Sequence, residues 1–135
     1  MHQDDETWDS VFEMFFEEER QHDRDLWDLI KAESLRTGRA ALGPREVVEA
    51  AVVGRVDRML VTRDARIAGK RCRECENLLP DVQDKCSICG SDSLFTVDLV
   101  NELVELMLLS NAEPEFTDPI GGLSKSGDVA ALLRY

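Results

Sequence analysis

The chain has 135 residues, of which 43% are hydrophobic and 33% charged, with a formal net charge of -12. That length supports one ordinary domain with a small appendage, burying roughly two-thirds of the surface its unfolded chain exposes. No apolar run approaches the roughly 20 residues that cross a bilayer, and the N-terminal segment lacks the basic start and apolar stretch of a secretory signal. A cytoplasmic unit with no membrane partner is expected.

The acidity is concentrated at the N-terminus, where residues 1–33 carry twelve Asp and Glu side chains against Arg20, Arg24 and Lys31. Within that segment Trp8, Val11, Phe12, Phe15 and Phe16, then Leu26, Trp27, Leu29 and Ile30, recur at helical spacing on either side of a polar run from Glu17 to Asp25. Two helical stretches, or one long helix, are expected. Trp27 and Ile30 read as core, whereas Phe12 and Phe15 suit either a core or a partner-binding face. Thr37 and Gly38 end the helix.

Arg39 to Leu42 reads as a short strand. Gly43-Pro44 then opens a helix, because proline tolerates the first turn, where its missing N–H is no loss. That helix carries Val47, Val48, Ala51 and Val52 on one face and stops at Gly54. Val56, Met59, Leu60 and Val61 form a β-branched and apolar run expected as a buried strand. Further on, Thr96 is expected to cap a helix bearing Val100, Leu103, Val104, Met107 and Leu108, with Asp98 in its first turn and Asn111 at its end. Pro114 confines the next strand to a sheet edge or an irregular start, since proline has no N–H to give a neighbour. Gly121, Gly122 and Gly127 mark turns before the closing apolar run Val129–Leu133. The alternation predicts an α/β fold in which helices sandwich a small mixed sheet.

Cys72, Cys75, Cys86 and Cys89 interrupt that pattern as two C-x-x-C pairs. A two-residue gap lets each pair curl as a knuckle with both sulfurs turned inward, so four thiolates close one tetrahedral ion at about 2.3 Å. Disulfides would need an oxidising compartment, and a thioredoxin-like motif would need a single pair at a helix start. Structural Zn(2+) in a ribbon is the expected occupant. Iron takes the same four ligands, and metal analysis separates the two. With four protein ligands no position is left for water, so the site is not hydrolytic.

A basic stripe leads into the ribbon: Arg55, Arg58, Arg63, Arg66, Lys70, Arg71 and Arg73 face Asp57, Asp64 and Glu74. Such a stripe can contact phosphates or a protein partner, although an acidic chain is poorly suited to binding nucleic acid by itself. His2 and His22 are the sole histidines. No nucleophile and base pair up by spacing, so the chain reads as non-enzymatic, with no small-molecule substrate.

Three segments resemble the C-terminal domain of eukaryotic and archaeal-type class-1 peptide chain release factors and their bacterial relatives. They are ALGPREVVEAAVVGRVDRMLVT from Ala41 to Thr62, VDLVNELVELM from Val97 to Met107, and the closing VAALLRY from Val129 to Tyr135, with the cysteine ribbon inserted between the first two. The resemblance covers residues 26–135. It implies a fold like that of kink-turn RNA-binding ribosomal proteins. It divides the chain into an acidic helical extension and first helix (1–37), an α/β body (38–70 plus 95–135) and an inserted zinc ribbon (71–94). The implied role is a protein-interaction domain of a ribosome-associated translation factor, docking a translational GTPase or another ribosomal partner. A zinc-ribbon nucleic-acid binder using Arg55 to Arg73 is the alternative. The sequence departs from the family pattern at Glu76, where a knuckle usually has glycine, and at Gly127-Asp128, where two glycines are usual. The segment from Phe116 to Val129 is short enough that the family's last helix is expected to be missing. Neither the Gly-Gly-Gln loop of peptide-releasing members nor their codon-reading motif occurs, which suits a detached third domain.

Overall fold

In the computed structural model, which describes residues 2–135 and side chains from Ser10 onward, eleven elements follow one another. The side chains of His2 and Trp8 lie outside the described ones. The two N-terminal apolar stretches belong to one helix, α1 (His2–Arg36). The polar run from Glu17 to Asp25 contains neither glycine nor proline, so nothing in it breaks the backbone ladder. Then come β1 (Ala40–Leu42), α2 (Gly43–Val52), β2 (Val56–Thr62), β3 (Ala68–Cys72), β4 (Leu78–Leu79), β5 (Leu94–Asp98), α3 (Leu99–Leu109), β6 (Glu113–Thr117), α4 (Gly121–Lys125) and β7 (Val129–Leu133).

Two sheets result. The body sheet has the order β1-β7-β2-β6, with β7 antiparallel to both β1 and β2, and β6 parallel to β2. Pro114 is therefore on an edge strand, as its chemistry requires. The ribbon sheet is β4-β3-β5, all antiparallel. Strand β7 shows why helices must cover both faces of the body sheet. Val129, Ala131 and Leu133 point into a core shared with α2 and α3, including Val47, Val48, Leu103 and Met107. Ala130 and Leu132 point the other way, where Leu26, Trp27 and Ile30 of α1 and Leu123 of α4 meet Leu60. Period-two alternation with both faces apolar makes a continuously hydrophobic strand. The α/β sandwich expected from the sequence is the observed one.

Two local expectations are corrected. Thr96 lies inside β5, paired with Lys70, and the helix cap is Asp98, whose carboxylate accepts from the N–H groups of Val100 (3.1 Å) and Asn101 (3.5 Å). Threonine favours a strand when a partner strand is at hand, and aspartate is the stronger cap. The helix before the closing strand is also present, as the short α4. It is held by Leu123, fully buried, and by close packing of Gly122 on Trp27, where an added Cβ would come within 2.9 Å of the indole ring.

Where two glycines are usual in the resemblance, both positions do adopt left-handed backbone: Gly127 at φ 100° and Asp128 at φ 68°. Gly127 is required twice over, because a Cβ there would sit 2.8 Å from Cδ of Pro44. Asp128 tolerates the conformation, as Asp and Asn do. Its Oδ1 accepts a hydrogen bond from the Thr62 hydroxyl at 2.9 Å, which ties the turn to the end of β2.

Candidate metal centre and docking surfaces

The first knuckle grows out of β3 and the second out of the loop after β4. In each, the residue four after the leading cysteine turns back onto it: Glu76 N–H donates to the Cys72 carbonyl, and Gly90 N–H to the Cys86 carbonyl, both at 2.9 Å. Both closing residues take positive φ, 62° at Glu76 and 81° at Gly90. Glu76 thus takes, without being glycine, the left-handed backbone that Gly90 takes in the second knuckle. The N–H groups of Ile88 and Cys89 point at the Cys86 sulfur, each at 3.4 Å.

These turns gather the four sulfurs within 4.8 Å of one another. Sγ of Cys72 is 3.5 Å from that of Cys89, and Sγ of Cys75 is 3.6 Å from that of Cys86. Four sulfurs at about 2.3 Å from one tetrahedral ion would be about 3.8 Å apart. The donor set therefore fits a single metal ion. Cys72 and Cys86 are buried with Leu79 and Leu94, while Cys89 is exposed. As free thiols the four differ. The backbone N–H and side chain of Asn77 draw Cys75 down to about 6. At Cys89 a backbone bond from Ser91 also pulls downward, but it is outweighed by desolvation and by the sulfurs of Cys72, Cys75 and Cys86, leaving the thiol at about 12. Four thiolates this close repel one another, and a divalent cation is what allows all of them to ionise.

The ribbon is stapled to the body on both flanks. Leu78 turns into the body core while its neighbour Leu79 turns into the ribbon core. Arg71 pairs with Glu102 of α3 at 2.7 Å, and Arg45 of α2 with Asp81 at 2.6 Å. Between ribbon and α3 this leaves a groove of about 630 Å3, with Arg73, Glu76 and Phe95 on one wall and Glu105, Leu106 and Leu109 on the other. The Arg73 guanidinium stacks over Phe95 at 4.7 Å.

Four arginines of the basic stripe find partners in the folded chain. Arg58 pairs with Glu115 at 3.0 Å, Arg63 with Asp118 at 3.4 Å, and Arg71 with Glu102. Arg55 stacks on the Tyr135 ring and donates to the Tyr135 carbonyl at 2.8 Å. Arg66 stands apart, beside Ile67 and Thr96 at the root of the ribbon. His22 is half exposed and lies 3.3 Å from Glu115 Oε1.

Arg134 is the residue whose role was invisible in the sequence. It donates to the carbonyl of Ser110 at 2.6 Å and to that of Gly54 at 3.4 Å, so one cation meets the C-terminal ends of both α3 and α2. The closing LLRY is thereby accounted for: two leucines on opposite faces of the sheet, an arginine across two helix ends, and a tyrosine stacked on Arg55.

Among solved structures, the C-terminal domain of a peptide chain release factor from Methanosarcina mazei is similar at 26% identity and a TM-score of 0.67, over 96% of this chain and 92% of that one. The chain has the fold of a release-factor C-terminal domain. Archaeoglobus fulgidus Pelota matches at 20% identity and a TM-score of 0.58, and Saccharomyces cerevisiae Dom34, described as a translation termination-like factor interacting with Hbs1, at 16% and 0.55. This release-factor-type domain spans 31% and 28% of those two chains. No family model matches the sequence, and no curated protein sequence matches it significantly. Among the described residues no helix is long and apolar enough to cross a membrane.

Proposed function

We propose that this chain is a non-catalytic interaction domain of a release-factor-like, ribosome-associated translation factor, and that it docks a translational GTPase or another ribosomal partner. The observation that carries the reading is the likeness to the Methanosarcina mazei domain along almost the whole of both chains. Two further relatives point the same way: an archaeal Pelota described as ribosome-bound with ABCE1, and Dom34 with Hbs1. The metal in this reading is zinc. It is closed off by four thiolates and serves to shape the ribbon wall of the groove beside α3.

That groove has the composition of a protein-binding surface, with an arginine stacked on an aromatic ring on one side and exposed Leu109 on the other. Four of the stripe arginines, Arg58, Arg63, Arg71 and Arg55, are already committed to Glu115, Asp118, Glu102 and Tyr135, and have less free charge to offer a phosphate backbone than the sequence suggests. Co-sedimentation of the chain with ribosomes, with and without a purified translational GTPase in its triphosphate form, tests the proposal. Binding that is lost in Arg73→Glu and Leu109→Asp is expected. A chain that stays in the supernatant under every combination would overturn the reading.

A further inference from the structure

The face of α1 that packs on the body does not stop where the body stops. Leu26, Trp27 and Ile30 are buried against the sheet, and the same helical stripe continues outward through His22, Asp23 and Glu19 to Phe15, Phe16 and Val11. Phe15 precedes Leu26 by eleven residues, or about 16 Å of helix. Phe15 is 53% exposed, Phe16 52% and Met14 65%, and the two phenylalanine rings meet edge to face with centroids 5.9 Å apart. Phe15 and Phe16, with Val11 one turn before Phe15, put three large apolar side chains about half in water on one face of the helix, more than the scattered surface hydrophobics of a monomer.

At the root of this stretch the helix and the edge strand β6 bound a groove of about 390 Å3. Phe15 and Phe116 are its apolar walls, and Glu18, Glu19, Asp23 and Glu115 line it with carboxylates. Arg63 also lines it, paired with Asp118, and Arg58 pairs with Glu115, so two arginines stand against the four carboxylates. Even so, Oε2 of Glu115 is buried with no hydrogen-bond partner. Burial, with the charges of Glu115 and Glu19, outweighs a hydrogen bond to Thr117 and a favourable His22 to push the Asp23 carboxyl above its ordinary range. The groove thus holds more negative charge than its own surroundings balance.

We propose that the outer half of α1 and the edge strand β6 form a docking surface for a basic, apolar-faced segment of a partner protein. The phenylalanines supply the anchor and the carboxylates the steering. A second copy of this chain is the wrong occupant, because pairing two helices whose first 33 residues carry twelve acids against three bases brings like charge together. An anionic lipid surface is disfavoured for the same reason. The surface is separate from the groove beside the ribbon and stands or falls independently of the GTPase reading.

The test uses the full chain and two synthetic peptides of one amphipathic helical pattern, one of leucine and lysine, the other of leucine and glutamate, followed by fluorescence anisotropy. The Leu/Lys peptide is expected to bind and the Leu/Glu peptide not to. Replacing Phe15 and Phe16 together by serine, with every carboxylate kept, should weaken the Leu/Lys peptide about tenfold. The double change Glu18→Lys, Glu19→Lys should weaken it as much and flatten its salt dependence. Unchanged near-ultraviolet dichroism and metal content in both variants show that the fold is intact. Undiminished Leu/Lys binding by the phenylalanine variant would overturn the proposal, since unspecific charge would then suffice. So would a dimer in sedimentation equilibrium that the same variant dissociates, because a second copy would then be the occupant.

Discussion

Glu76 offers a direct measure of what the first knuckle costs. Its φ of 62° lies in the left-handed region, where a β-carbon costs about 1–2 kcal/mol relative to right-handed backbone. Glycine removes that penalty but loosens the unfolded chain, returning about 0.4–1 kcal/mol. The Glu76 contacts that hold the turn, its N–H to the Cys72 carbonyl and its carbonyl to Arg71, are backbone groups that glycine keeps. Glu76→Gly should therefore tighten metal binding by about 0.5–1 kcal/mol, or about two- to fivefold. Gly90→Ala is the mirror experiment: φ is 81°, nothing lies within 4 Å of the added Cβ, and affinity should fall by a similar factor through backbone strain alone. Competition titration against a chromophoric zinc chelator reads both. If Glu76→Gly left affinity unchanged or weakened it while Gly90→Ala behaved as expected, the strain argument for the first knuckle would be refuted.

Other consequences can be checked in the same preparation. Removing the metal, or Cys86→Ser, should abolish amide protection mainly across residues 71–94, because Leu78 is the one buried side chain of that segment in the body core; simultaneous loss in β2 and β7 would show a single cooperative unit. Metal affinity should rise with pH between about 6 and 9, since Cys89, at about 12 without metal, stays protonated throughout and must release its proton on binding, while Cys75, at about 6, contributes its own proton only toward the acid end. Gly127→Ala should lower stability in urea by about 2–4 kcal/mol, combining left-handed strain with the 2.8 Å approach to Pro44. Arg134→Ala should cost about 1 kcal/mol by leaving the carbonyls of Ser110 and Gly54 without their shared cation, and Arg134→Lys should recover part of it.

The elements most legible in the sequence are those whose signals are local. Pro44 and Gly54 bracket α2, Pro114 marks an edge strand, and the unbroken apolar run at Val129 can exist only as a strand covered on both faces. Thr96 misleads because its preference is decided by Lys70 on the neighbouring strand, and pairing with a distant segment leaves no trace in local spacing. Helix α4 escapes detection since five residues containing two glycines carry no helical periodicity; Trp27, nearly a hundred positions earlier, is what holds them.

From the sequence alone come the four ligands, their spacing and the acidity of α1, because chain connectivity and side-chain chemistry act over a few residues. Tertiary structure decides where the charges go. Arg58, Arg63 and Arg71 look like a stripe when written in a line, but each meets a carboxylate 31 to 57 positions away and is largely neutralised. The phenylalanines of α1 show the reverse. Their spacing fits a core, and only the edge of the sheet, reached between Leu26 and Phe15, leaves them in water.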